Sequence, residues 1–143
     1  MAGELDPRPI IVDAWRRGAS VYLPDVIAPD ANASLRFAEH TPDQVLETGA
    51  YGIPVPPANA PRLAPAELDL VLVPLVAFDD QGTRAGMGGG FYDRAFSFRA
   101  TTPAPPLLVG LGYHWQQVDS LVREPWDVAL DVVITDRGAH GVG

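Results

Sequence analysis

Apolar and polar residues alternate along this chain in several rhythms, and each rhythm predicts an element. Asp6-Pro7 opens a segment in which Ile10, Ile11, Ala14 and Trp15 fall at helical spacing. A capping Asp, Pro at the first helical position and Gly18 as a stop make it a helix. Ser20 to Val26 (SVYLPDV) reads as a short strand, and after a Pro/Asn/Asp loop Leu35 to Ala38 is a weaker one. The central strand is predicted at Asp69 to Pro74 (DLVLVP), a continuous apolar run of the kind buried on both faces of a parallel sheet. Pro106 to Tyr113 (PLLVGLGY) and Leu130 to Thr135 (LDVVIT) are two further strands, each far enough from its predecessor for a crossover, and FYDRAFSF after Gly90 reads as the first turns of a helix. Strands interleaved with helices predict an α/β layered sandwich with a mainly parallel central sheet and flanking helices. Ser20–Val26, Asp69–Pro74, Pro106–Tyr113 and Asp131–Thr135 are expected in that one sheet, with the glycine-rich stretch that follows at the C-terminal end of the central strand, where ligands of open α/β sheets collect. Thr41 to Pro65, rich in Pro and small residues, suits an ordered surface connection.

Composition narrows this to one acidic domain over 1–143. The chain has 143 residues, ten Arg, no Lys, eighteen Asp plus Glu, a net charge of -8, 47% hydrophobic residues and no Cys. That is enough apolar material for a core, and the lack of Cys excludes disulfides and thiolate metal sites. The longest apolar stretch, Leu68 to Phe78, is broken by Asp69 and Pro74 and falls well short of the roughly 20 residues a bilayer span needs. Residues 1–20 contain Glu4, Asp6 and Asp13 and no apolar block, so a cytoplasmic chain is expected. An acidic chain repels phosphate backbones, so nucleic acid and membrane are not expected partners. Small molecules are, with a monomer favoured.

The sharpest chemistry lies in Arg84-Ala85-Gly86-Met87-Gly88-Gly89-Gly90-Phe91-Tyr92-Asp93-Arg94. Glycines remove Cβ atoms where a backbone must approach a ligand, and successive N–H groups leading into a helix form an anion-binding concavity. Arg84 adds a bidentate donor, and Asp93 suits a Mg²⁺ that bridges phosphates. The residues alone leave a flexible surface loop equally open. Neither the P-loop nor the dinucleotide pattern is met, because no Lys follows the glycines and the first glycine sits well beyond the strand.

The run DLVLVPLVAFDDQGTRAGMGGGFYDR resembles the central signature of the 5-formyltetrahydrofolate cyclo-ligase (methenyltetrahydrofolate synthetase) family. VGLGYHWQQ and EPWDVALDVVIT downstream, with YGIPVP and ELDPRPIIVDAWRRGASVYLP upstream, extend the likeness over nearly the whole chain. The resemblance implies ATP- and Mg²⁺-dependent conversion of 5-formyltetrahydrofolate to 5,10-methenyltetrahydrofolate, with release of ADP and phosphate. It implies ATP binding by Arg84, Gly86, Met87, Gly88, Gly89, Gly90, Phe91 and Tyr92. Folate binding would fall to Glu4, Tyr51 and Met87 to Phe91, and magnesium binding to Asp93 and Asp127; no catalytic residue is assigned.

Plainer roles stay open for several of these. Asp127 also suits a turn cap after Pro125-Trp126, Tyr51 a packing residue of the Pro-rich loop, Glu4 a solvated carboxylate, and Asp131 a strand-edge carboxylate. Arg36 and Arg62 read as surface charges able to meet a glutamate tail. Phe91 stands where the family pattern has a tyrosine, and Val55 where it often has Glu or Gln. The family's basic N-terminal segment and first strand have no counterpart before Glu4, so either a fragment or misassigned start, or a shortened homologue with impaired nucleotide binding, is expected. The alternative function is a folate- or nucleotide-binding homologue with little or no turnover. A plain interaction domain would leave the glycine loop without purpose.

Overall fold

A computed structural model describes residues 5–26, 35–49, 52–86 and 90–142. The chain divides into two compact units, Asp6–Glu67 and Met1–Leu5 with Leu68–Gly143.

In the first unit, helix α1 spans Arg8–Arg16. Pro7 sits at its N-cap, one residue earlier than predicted, and Asp6 Oδ1 accepts the Arg8 N–H at 3.0 Å, which satisfies one of the free donors of the first turn. Strands β1 (Val21–Val26), β2 (Leu35–His40), β3 (Glu47–Thr48), β4 (Pro54–Val55) and β5 (Arg62–Leu63) follow. β1 and β2 pair antiparallel from Val21↔His40 to Val26↔Leu35, and β5 adds to β2. Leu35, Phe37 and Ala38 are buried, and Trp15 of α1 donates its indole N–H to His40 O at 3.0 Å.

This corrects the expectation that Ser20–Val26 joins the parallel sheet. Its partner is the next strand in sequence, because antiparallel pairing of neighbours closes a short loop at small entropic cost, whereas a parallel partner needs a crossover. Alternating hydrophobicity marks a strand without naming its sheet.

The second unit holds β6 (Leu70–Pro74), β7 (Ala77–Phe78), β8 (Arg84–Ala85), α2 (Phe91–Ala95), β9 (Leu107–Leu111), β10 (Val132–Thr135) and β11 (Gly138–Gly141). Its sheet runs β11-β10-β9-β6, with β6–β9 and β9–β10 parallel and the β10–β11 hairpin antiparallel, so the orientation is mixed. The predicted central strand, β6, lies at an edge among the described residues: Val71 and Val73 are buried while Leu70 is 53% exposed. The inner strands are β9 and β10, and in β9 Leu108, Val109 and Gly110 are buried in succession. Both runs are continuously apolar, and only the pairing tells which is covered on both faces.

Leu75, Phe78, Phe96, Leu130 and Val133 complete the core of this unit. The helix predicted after Gly90 is real but short, ending at Ala95 before a 3₁₀ turn over Ser97–Ala100.

Candidate functional site

β6 ends at Pro74, and the chain then forms the β7–β8 hairpin, with Phe78 opposite Arg84 and Ala77 opposite Ala85. Val76 N–H bonds Ala85 O at 2.8 Å, which holds the outgoing strand beside the incoming one. The hairpin delivers Arg84 and Gly86 next to the end of β6, so the glycine stretch begins at the C-terminal edge of the parallel strands, as expected.

Arg84 does not extend into solvent. Its side chain is only 9% exposed; Nη1 donates to Pro74 O at 3.3 Å, Nη2 lies 3.6 Å from Asp93 Oδ2, and Cζ stands 5.9 Å from the centre of the Tyr92 ring. Gly90, at φ +68°, caps the N-terminus of α2 in the left-handed region that a side chain disfavours. Tyr92 stacks on the buried Phe96, and the Arg94 guanidinium lies 5.0 Å from the centre of the Phe91 ring. Asp93 projects from the first turn of α2, and its Oδ1 accepts Val128 N–H at 3.0 Å. That bond ties α2 to the residue next to Asp127.

Asp127 itself closes a turn. Its Oδ2 accepts Glu124 N–H at 2.8 Å and its own N–H bonds Glu124 O at 3.0 Å, the plainer of its two sequence readings. Its Oδ1 has no hydrogen-bond partner among the described residues.

The sequence placed the glycine loop, Asp93 and Asp127 in one site. The described part of that set, Arg84, Gly86, Gly90, Phe91, Tyr92 and Asp93, does gather, with the Asp127 turn joined to it through Val128. Glu4, Tyr51, Met87, Gly88 and Gly89 lie outside the described residues.

One expectation needs correcting. Arg62 is no free surface charge: Nε and Nη2 bond Asp25 Oδ2 at 3.2 and 2.7 Å, and Nη1 donates to Ala58 O and Ala60 O. Asp131 is the strand-edge carboxylate expected: just before β10, it is bonded by Arg99 Nη2 at 2.7 Å through both oxygens and accepts Leu108 N–H at 2.7 Å. Arg36 is exposed, as expected. Sequence reasoning passed over Asp79, Arg99 and Arg123, although an Asp three residues before Gly82 is itself a turn signal.

Among the described residues no three His, Asp or Glu side chains group around a point. A cation here would take Asp93 and Asp127 as its protein ligands. Each keeps one carboxylate oxygen that no backbone N–H occupies, and their segments are already tied together. Two hard oxygen donors, with room for waters and ligand oxygens, fit Mg²⁺ and not a metal that needs an all-protein cage.

Fold and site thus define an α/β protein whose strand, hairpin and short helix converge on a carboxylate-bearing turn. Residues 1–136 match the model of the 5-formyltetrahydrofolate cyclo-ligase family. A 5-formyltetrahydrofolate cyclo-ligase of Haemophilus influenzae is 40% identical over 134 residues, covering 92% of this chain and 70% of that protein. The Escherichia coli K12 protein of the same name is 40% identical over 93% of this chain and 72% of its own length. The solved structure of Aquifex aeolicus 5,10-methenyltetrahydrofolate synthetase superposes with a TM-score of 0.79 at 31% identity, over 99% of this chain and 68% of the other. The chain belongs to the 5-formyltetrahydrofolate cyclo-ligase family.

Proposed function

We propose that the chain closes 5-formyltetrahydrofolate to 5,10-methenyltetrahydrofolate at the expense of ATP. The observation that carries the site is the 3.0 Å bond from Val128 N–H to Asp93, which brings the glycine-loop helix and the Asp127 turn to one place. The chemistry needs such a place. A formamide oxygen is a poor leaving group, so it first attacks the γ-phosphorus of ATP and ADP departs. The neighbouring folate nitrogen then attacks the formyl carbon, loses its proton, and phosphate leaves with the former formyl oxygen.

The enzyme's share in such a transfer is mostly position and charge. Arg84 and the N–H groups from Gly86 to Tyr92 bind the nucleotide phosphates. Folate binding falls to Glu4, Tyr51 and Met87 to Phe91. Asp93 and Asp127 hold Mg²⁺, which when bound neutralises phosphate charge. Phe91 supplies a ring and no hydroxyl.

Both units belong to one cyclo-ligase-like domain on this reading, since the family match runs through them, and the domain is a layered sandwich. The acidic chain, none of whose described helices is long and apolar enough to cross a membrane, works as a cytoplasmic monomer on small molecules alone.

The test is the absorbance of the methenyl product after 5-formyltetrahydrofolate and Mg-ATP are mixed with the chain. Product formed in proportion to enzyme, with one ADP per turnover, is the expected result. Binding of both ligands without product would leave a binding homologue instead.

A further inference from the structure

We infer that Asp79, with Arg123 behind it, is the positioning residue that aligns the two halves of the site. Asp79 is 3% exposed, and its carboxylate is spent on backbone N–H groups: Oδ1 accepts Gln81 and Thr83, each at 3.0 Å, and Oδ2 accepts Leu121 at 2.9 Å. The first two bonds shape the β7–β8 turn, and the third ties that turn to the segment after β9.

Further contacts converge on residues 78–83. Val118 N–H bonds Phe78 O at 2.8 Å, just before the turn, and Leu130 N–H bonds Gly82 O at 2.9 Å. Arg123 donates through Nε to Thr83 Oγ1 at 2.9 Å and through Nη2 to Gln81 O at 2.6 Å. Gly82 has φ +80°, and a Cβ there would stand 2.6 Å from Leu130 O, so this close approach requires glycine.

The geometry has a consequence for the site. On one side, Thr83 leads directly into Arg84 and the glycine stretch. On the other, the Gly82–Leu130 bond fixes the strand of chain that carries Asp127 and Val128, and Val128 bonds Asp93. The turn is therefore common to both halves, and the Asp79 carboxylate is what holds it. A carboxylate accepts three N–H groups where an amide would turn an NH₂ toward one of them.

Two substitutions test this. Arg123→Gln removes an exposed residue and leaves the core intact, while Asp79→Asn acts on the buried centre. Amide hydrogen exchange is read on Val76, Arg94, Phe96 and Val128, whose N–H groups report on the hairpin exit, α2 and the Asp93 contact. In Arg123→Gln these amides are expected to exchange at least fivefold faster, with those of β9 and β10 within twofold of the unaltered chain. Asp79→Asn should give a larger effect in the same order; if it fails to fold, the Arg123 variant decides alone.

The kinetic arm rests on the cyclo-ligase reading. There, KM for Mg-ATP should rise at least threefold, with kcat within twofold. Exchange that is unchanged, or faster in β9 and β10 as well, overturns the inference, as does an unchanged KM for Mg-ATP. Lack of turnover in the unaltered chain would count against the proposed function and leave the exchange result to decide this one.

Discussion

Two arginine–carboxylate pairs in the second unit look alike in composition and differ in use. Arg99 and Asp131 meet at 2.7 Å, and every polar atom has work: Arg99 also donates to Pro106 O and Thr102 O, and Asp131 also accepts Leu108 N–H. Arg84 and Asp93 are equally withdrawn from solvent, with side chains 9% and 19% exposed, yet stand 3.6 Å apart, and the one side-chain hydrogen bond of Arg84 among the described residues is a long one to Pro74 O. The first pair is complete and belongs to the scaffold. Among the described residues the second leaves donor and acceptor capacity unspent beside Gly86, which is what a site for an anion and its counter-ion requires.

The comparison breaks most visibly under Asp131→Ala. Removing one partner of a well-bonded pair leaves the Arg99 guanidinium and Leu108 N–H without an acceptor; discounting the usual buried-pair penalty for the 29% exposure of Asp131, the loss is about 2–3 kcal/mol in urea unfolding. Substrate KM values of the folded fraction should not move. A loss below roughly 0.5 kcal/mol, the size of an ordinary surface change, would mean that the pair is no scaffold.

Asp93→Asn is expected to do the reverse. The amide oxygen still accepts Val128 N–H, so the unfolding midpoint should change little, whereas Mg-ATP affinity by calorimetry should fall by roughly tenfold or more, or about 1.4 kcal/mol. Unchanged affinity would remove Asp93 from the metal site.

Arg84→Lys sharpens the same contrast at smaller cost. Lys keeps the charge and loses the planar fork, so a weakening of Mg-ATP binding by about threefold to tenfold is expected, with the protein still folded. Full affinity in this variant would show that a point charge suffices.

The smallest effect belongs to Arg8–Asp6, which lies wholly in water. The Arg8 side-chain hydrogen bond, then the Arg8 backbone N–H, holds the Asp6 carboxyl below the usual carboxylate value. Because the folded value is the lower one, any contribution to stability is present above the unfolded value and is lost as pH falls through the folded one, so its loss is confined to acid. An NMR titration should show the Asp6 midpoint rise in Arg8→Ala, with no measurable change in unfolding at neutral pH.

Much of the candidate site is legible in the amino-acid sequence. The glycine run, its arginine and its aspartate are contiguous, and contiguous residues carry their chemistry in the order of the letters. Asp127 is legible only through the long family likeness, and its turn-closing bond to Glu124 is local enough to stand as the plainer alternative. Asp79 is written in the sequence as an Asp followed by Gly82, but its bond to Leu121 spans 42 positions and leaves no local mark.

By itself the sequence determined the kind of the longer elements, because helices and strands answer to spacing within a few residues: the α1 stripe, the apolar runs of β6, β9 and β10, and the helix start after Gly90; it missed the short strands β3, β4 and β5 inside the stretch read as a surface connection, and β7, β8 and β11. Tertiary structure decided where they went. It sent β1 to β2 and not to the parallel sheet, put β9 inside and β6 at an edge, and matched Arg62 with Asp25 across 37 positions and Arg99 with Asp131 across 32. Those choices weigh loop closure, burial and pairing of distant charges against one another, and such terms exist only once the chain has folded back on itself.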